Sequence, residues 1–296
     1  MHILLATDGS EYSEYAARLL ARIPFPPDTR ITVMTSVEGA SSAELEAEIG
    51  QDAHSLYRQI DERAHQILDR ESNVLKAAGW EVSTLLRSGA VAPLILETSR
   101  SMDIDLIVLG ACGHSPLQHL LLGSVSRKVS RHARCSVLVA RPSGRSPSSE
   151  QPIKFVVGID GSGPAREAVK LLSSISWQRP IEVFLLAVIE LVRPYRMDIL
   201  QQMDPLWQQR KCDAERNLEE SAELLSGVVS KVETDVQQAD SAAEVLFRKV
   251  KEKGADILML GDKGRNVFGN LLLGSLSEEA LHRAPCSVWL SRLSNG

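Results

Sequence analysis

The sequence predicts an α/β protein of two tandem domains, each a doubly wound parallel sheet of five strands. Three observations carry this. First, the 296 residues align with themselves end to end. Ile3-Leu-Leu-Ala-Thr-Asp-Gly-Ser10 matches Phe155-Val-Val-Gly-Ile-Asp-Gly-Ser162, and Arg134-Cys-Ser-Val137 matches Pro285-Cys-Ser-Val288. The offset, about 151 residues, is that of a duplicated domain and much too long for a solenoid repeat. Second, short apolar runs alternate with helical patterns in each half, as in βαβ units around a sheet covered on both faces. Third, one glycine skeleton stands after the fourth predicted strand of each half. It reads Gly110-Ala-Cys-Gly113, nine residues, Gly123-Ser124, and then Gly261-Asp-Lys-Gly264, nine residues, Gly274-Ser275.

In order, the first half reads as a strand at His2–Thr7, a helix at Glu11–Arg22 ended by Pro24, Pro26 and Pro27, and a strand at Arg30–Val37. A long polar-rich helix follows at Ala43–Ala78, stopped by Gly79, and then a strand at Trp80–Arg87. A helix at Ala92–Arg100, a strand at Leu106–Leu109, the glycine loop, a helix from His119 to His132 and a strand at Ser136–Ala140 complete it. The second half repeats this with strands at Lys154–Ile159, Ile181–Ile189, Lys231–Gln238, Ile257–Leu260 and Ser287–Leu290, and a long charged helix at Met203–Gly227. Both long helices read as solvated covers. The Pro-, Ser- and Gly-rich stretch between the halves reads as a linker. The domains are set at 1–142 and 153–296, with the linker at 143–152. Right-handed crossovers leave a doubly wound sheet as the natural arrangement. Ligand loops then lie at strand C-termini near the switch point, here the Thr7-Asp8-Gly9 turn and the Gly110 loop.

Composition narrows the function. A net charge of −5 and a pI near 5.9 give no nucleic-acid footprint. No apolar run approaches the roughly 18 residues of a membrane span. The N-terminal run reads as a strand and not as a signal peptide. Cys112, Cys135, Cys212 and Cys286 form no CxxC pair and no metal spacing, so reduced thiols in a cytoplasmic protein are expected. There is no G-x-x-x-x-G-K-[ST] loop, and G-x-G-x-x-G does not follow the first strand.

A strand, a glycine loop and a helix start can together hold a phosphate. Glycines let the backbone approach, and unpaired N–H groups at the helix start supply donors and partial positive charge. A serine after the third glycine adds a hydroxyl donor.

At these residues the chain resembles the universal stress protein family. The resemblance rests on Asp-Gly-Ser after strand 1, the Gly-2x-Gly-9x-Gly-Ser signature after strand 4, and the His-Ala-x-Cys-like lead into strand 5. It covers both halves. It implies Rossmann-like sheets of the adenine nucleotide alpha hydrolase-like kind and, from the signature, the ATP-binding branch of the family, with ATP and Mg as ligands. Carried over residue by residue, it points to Asp8 and Asp160 at the adenine, with Thr7 and Ile159 beside them, and to Val37 and Val188 against the ring. Gly110, Gly113 and Gly123, and Gly261, Gly264 and Gly274, would hold ribose and phosphates. Ser124 and Ser275 would contact phosphate, and Ser126 and Ser277 the terminal phosphates. Family members pair through strand 5, which implies an internal pseudo-dimer and allows a homodimer. A carboxylate on the adenine side can accept from the exocyclic amine, so Asp8 and Asp160 would favour adenine over guanine in that pose.

Blander readings stand beside these. Asp8 and Asp160 could cap the following helices, and Ser126 and Ser277 could be ordinary exposed helix residues. His114 and His119 read as solvated. Cys112 is the one thiol that oxidation could couple to binding. The halves also differ. The first loop has no Lys or Arg, whereas the second has Lys263 and Arg265, partly offset by Asp262. The second half is therefore expected to bind triphosphate at least as tightly. Arg127-Lys128 against Glu278-Glu279 is the opposite bias. Three functions remain: a nucleotide-dependent stress-response binding and signalling module read by an unknown protein partner, a slow ATPase or phosphotransferase, and a scaffold with vestigial sites. The sequence leans away from an enzyme, because it offers no catalytic base or paired carboxylates at the loops.

Overall fold

The computed structural model describes residues 1–37, 52–113, 122–143, 151–191, 197–264 and 273–292. They fall into two compact units, one of Met1–Ile23 with Pro27–Arg141, the other from Pro142 onward together with Pro24–Pro26. In the first unit the elements are β1 (His2–Ala6), α1 (Glu11–Arg22), β2 (Arg30–Val37), α2 (Asp52–Ala77), β3 (Glu81–Ser88), α3 (Val91–Ser101), β4 (Leu106–Gly110), α4 (Ser124–His132) and β5 (Ser136–Ala140). Its strands are ordered β3-β2-β1-β4-β5 and every pair is parallel.

The second unit has β6 (Ile153–Gly158), α5 (Gly163–Ser174), β7 (Ile181–Glu190), α6 (Met197–Leu225), β8 (Lys231–Ala239), α7 (Ala242–Lys253), β9 (Ile257–Gly261), α8 (Ser275–Arg283) and β10 (Ser287–Ser291). Its order, β8-β7-β6-β9-β10, is the same topology, again parallel throughout. The doubly wound fold is thus present in each unit.

Burial explains the strand pattern. Every residue of β4, β5 and β10 is buried, as a parallel strand covered on both faces requires. The edge strands β3 and β8 are mostly exposed or half-buried and carry the polar residues. The first strand lies between the second and the fourth, with Ala6 in register with Met34 on one side and Leu109 on the other. The chain therefore winds away from β1 in both directions, and the switch point falls between β1 and β4.

The helices are placed by caps and apolar faces. Ser10 caps α1 by accepting from Ser13 N–H, and Glu11 and Glu14 complement the helix dipole in the first turn. Tyr15, Ala16, Leu19 and Leu20 are its buried side. Ser162 caps α5 in the same way, with a proline in the first turn. The described part of the first long helix ends at Ala77, where Gly79 (φ 91°) lets Trp80 N–H reach Leu75 O at 3.2 Å. That helix is more than a solvated cover, because Glu71 and Ser72 are each 1% exposed.

Several boundaries differ from expectation by a residue or more. The fourth strands run one residue further, into Gly110 and Gly261, because these pair with Ala140 and Ser291. The long helix of the second unit starts at Met197 and not at Met203, continuing through Pro205. The last helix of the first unit begins at Ser124, after Gly123 as N-cap. The early parts of the two first-unit helices, expected from Ala43 and from His119, include positions outside the described residues.

Candidate nucleotide site

The expected site residues converge at the C-terminal ends of β1 and β4, and of β6 and β9 in the second unit. Loop 1 is rigid. Thr7 is buried, and its N–H donates to Met34 O at 2.9 Å. Its hydroxyl donates to Ser13 Oγ at 3.0 Å, and Thr35 Oγ1 donates to its carbonyl at 2.8 Å. Ile159 takes the equivalent place, buried, with its N–H on Leu186 O at 2.9 Å.

The aspartates do not cap the helices; Ser10 and Ser162 do. Instead Asp8 Oδ1 accepts from Ser10 N–H at 3.0 Å, and Asp160 Oδ1 from Ser162 N–H at 2.9 Å. One carboxylate oxygen thus holds the turn. The other lies toward the glycine loop: a Cβ on Gly113 would stand 2.5 Å from Asp8 Oδ2, and one on Gly264 would stand 3.1 Å from Asp160 Oδ2. Ser10 Oγ also donates to Cys112 O at 3.4 Å, joining the two loops of the first unit.

The three signature glycines do different work. Gly110 ends β4 against the start of α1, where a Cβ would meet the Tyr12 backbone carbon at 2.8 Å and Ser13 N at 2.9 Å. Gly261 meets Pro164 and Ala165 in the same way, at 2.7 and 2.9 Å. These two let the strand end pack on the helix start. Gly113 and Gly264 open the space in front of the aspartates. Gly123 and Gly274 close the loop, donating N–H to Ala111 O and Asp262 O, each at 2.8 Å. They are also the N-caps of α4 and α8, and neither helix start has a side-chain cap. Their first-turn N–H groups therefore face the loop with no hydroxyl or carboxylate from a cap residue over them.

The serines divide. Ser124 and Ser275, first in their helices, are exposed at the loop. Ser126 and Ser277 are buried, and their hydroxyls donate to Gly110 O at 2.7 Å and Gly261 O at 2.8 Å. They tie the helix start to the strand end, so a phosphate contact would require that bond to be given up. Val37 is the last residue of β2, and Val188 is two short of the end of β7; both are half-buried. His114, His119 and Arg265 lie outside the described residues.

Cys112 is buried, and burial pushes its thiol up from the ordinary value, with the Arg141 guanidinium and the Gly123 N–H acting the other way. A thiol held protonated is poorly nucleophilic, which counts against the oxidation reading. Among the described residues no group of three or more His, Cys, Asp or Glu could hold a metal ion.

Two features escaped the sequence reading. One is the pair of buried serines acting as ties. The other is the arginine after the last strand of each unit, Arg141 and Arg292, which parallel pairing brings to the glycine loop.

The model of the universal stress protein family matches residues 1–141 and again 154–292. The chain belongs to the universal stress protein family. A universal stress protein of Mycobacterium tuberculosis (strain ATCC 25618 / H37Rv) is 26% identical over 300 residues, covering 99% of this chain and 96% of the relative. One from Methanocaldococcus jannaschii is 30% identical over 139 residues, covering 47% of this chain and 81% of its own length. The crystal structure of a universal stress protein from Archaeoglobus fulgidus superposes with a TM-score of 0.63 at 19% identity, covering 98% of both chains. At that identity the match speaks to the fold. The family model thus matches each half of this universal stress protein, and the two signatures sit at equivalent places in its two copies.

Proposed function

We propose that this universal stress protein binds an adenine nucleotide, ATP with Mg, in each half, and acts as a nucleotide-dependent binding module that a protein partner reads. The observation that carries the reading is the loop closure made twice. Gly123 and Gly274 each cap a helix start and each return an N–H to the residue after the first glycine, at 2.8 Å in both units. This leaves an anion-attracting helix start beside a carboxylate that can accept from an amino group. The residues fit such a ligand. A Cβ at Gly113 would fill the space before Asp8 Oδ2, and the glycine caps put no side chain over the first-turn donors.

In this reading Asp8 and Asp160 accept from the adenine amine, with Thr7, Ile159, Val37 and Val188 lining the ring. Gly110, Gly113, Gly123, Gly261, Gly264 and Gly274 form the backbone cradle, and Ser124 and Ser275 donate to phosphate. Mg would be held through the phosphates. No helix among the described residues is long and apolar enough to cross a membrane, and we place the protein in the cytoplasm, where ATP is available. Association of two copies belongs to the same proposal.

The test is thermal unfolding of nucleotide-stripped protein with and without Mg-ATP, together with an assay of released phosphate. ATP at 100 times its Kd should stabilise the protein by about 2.7 kcal/mol, with turnover near background. Turnover well above background would favour the slow ATPase. No protection would favour the scaffold with vestigial sites.

A further inference from the structure

The turn that carries Asp8 is held from a side that the repeat does not duplicate. Ser10 N–H donates to Asp8 Oδ1 at 3.0 Å, and the other end of the same Gly9–Ser10 peptide, Gly9 O, accepts from Arg70 Nη2 of α2 at 3.3 Å. Gly9 has φ 74°, and a glycine there gives that peptide plane little steric restraint of its own. The hydrogen bonds at its two ends fix the plane, and one of them also fixes the Asp8 carboxylate.

Arg70 is itself anchored on two sides. Its Nη1 lies 2.8 Å from Glu14 Oε1 of α1, and its Nη2 lies 3.3 Å from Glu71 Oε1. The Arg70 side chain is 48% exposed, but that of Glu71 is 1% exposed, so a half-exposed guanidinium is tied to a group packed in place. A planar fork with several donors can serve two carboxylates and a carbonyl together.

The second unit repeats the turn and not the latch. Gly161 has φ 76°, and Ser162 N–H donates to Asp160 Oδ1 at 2.9 Å. The long helices lie over the two turns in the same register. A Cβ on Gly9 would meet Ile67 at 2.8 Å, and one on Gly161 would meet Asn217 at 2.6 Å. Leu68 and Leu75 of α2 match Leu218 and Leu225 of α6, buried at the same spacing. In that register Glu220, exposed, stands where α2 has Arg70, and Ser221, buried, stands where it has Glu71. An acidic side chain cannot supply the cationic donor that Arg70 gives to Gly9 O.

We infer that Arg70 is a positioning residue of the first nucleotide site: by holding Gly9 O, with Glu14 and Glu71 as its anchors, it sets the peptide that orients the Asp8 carboxylate toward the base. Base selection at that site then depends on a side chain of α2 that has no ligand contact of its own. The inference rests on the nucleotide reading of the first site.

The experiment titrates the full chain, carrying Gly264→Val so that the first site is read, with ATP and with GTP. The readout is the ratio of the two affinities. Arg70→Ala should lower the ratio of ATP to GTP affinity by about three- to tenfold, the scale of freeing one ordered group at a binding site. Arg70→Lys keeps the charge and loses the planar fork, so it should restore only part of the ratio. Because Arg70→Ala also leaves the buried Glu71 without its neighbouring cation, urea unfolding is measured on each variant. Arg70→Ala combined with Glu71→Gln removes that buried charge, and stability should recover toward the parent while the ratio stays low. A ratio that recovers with the stability, or that never moves, would make Arg70 a structural residue only and overturn the inference while leaving nucleotide binding intact. In a Gly113→Val background, Glu220→Ala should leave the second-site ratio unchanged, and an equal drop there would also overturn it. A wild-type chain that binds neither nucleotide would overturn the underlying reading as well.

Discussion

Asp8 and Gly113 face each other across the crevice of the first unit, so closely that a single methyl group on Gly113 would stand 2.5 Å from Asp8 Oδ2. Asp160 and Gly264 repeat the relationship with more room, at 3.1 Å. The difference makes a graded prediction. Gly113→Ala must push the Asp8 carboxylate aside, and Gly264→Ala asks only for a shift of a few tenths of an ångström. Loss of a hydrogen bond to a charged group costs about 1.5–3 kcal/mol. The first-site affinity should therefore fall by about tenfold or more in Gly113→Ala, and the second-site affinity less in Gly264→Ala. Equal losses measured by titration would contradict this geometry.

Gly110 behaves differently, because its neighbours are backbone atoms of Tyr12 and Ser13. Gly110→Ala should destabilise the first unit by about 1–3 kcal/mol through overpacking, and Gly261→Ala should act likewise against Pro164. Urea unfolding reads the effect. A fall in nucleotide affinity with no change in stability would show that these glycines serve the ligand and not the packing.

Much of this was legible in the sequence and some was not. The strands announced themselves as apolar runs such as Leu106–Gly110, and the repeat identified equivalent loops. The work of Gly110 was hidden because it depends on how α1 lies on β4. Arg141 was hidden for a related reason: it is far along the chain from Ala111 and reaches it only through the register of β5 on β4. Ser126 read as either a phosphate contact or an exposed helix residue. Burial at its helical position turned its hydroxyl back onto Gly110 O at 2.7 Å.

That bond gives a third prediction. Ser126→Ala leaves the Gly110 carbonyl without its buried hydroxyl donor and should cost about 1 kcal/mol of stability, with nucleotide affinity nearly unchanged. Denaturant titration and binding measured on the same variant separate the roles. A large loss of ATP affinity at unchanged stability would assign Ser126 to the phosphates.

Asp8 carries two functions on two oxygens, and Asn can reproduce only one of them. Asp8→Asn retains an acceptor for Ser10 N–H and so should keep the turn, with stability within about 0.5 kcal/mol of the parent. It should lose much of the preference for ATP over GTP, because the amide can offer a donor toward the base. Competition binding with the two nucleotides checks this. An unchanged preference would remove Asp8 from base recognition.

Glu71 supplies a pH signature. It is 1% exposed, and burial raises its carboxyl above the ordinary 4.5, with Arg70 at 3.3 Å opposing the shift. With the folded value raised, the folded state holds more protons than the unfolded state between 4.5 and that value. Stability from this group therefore falls as pH rises through the window and is regained as pH falls toward 4.5. Glu71→Gln should flatten that part of the pH–stability curve, as measured by thermal melts across the acidic range. Because Arg70 also donates to Gly9 O at 3.3 Å, the same variant tests whether loop 1 depends on this ion pair.

The central claim is that both halves are working nucleotide pockets, and calorimetric titration of the nucleotide-stripped chain with Mg-ATP tests it most directly. The account predicts binding at two sites per chain, with one abolished by Gly113→Val and the other by Gly264→Val. The absence of any binding heat, together with no protection against thermal unfolding, would contradict it.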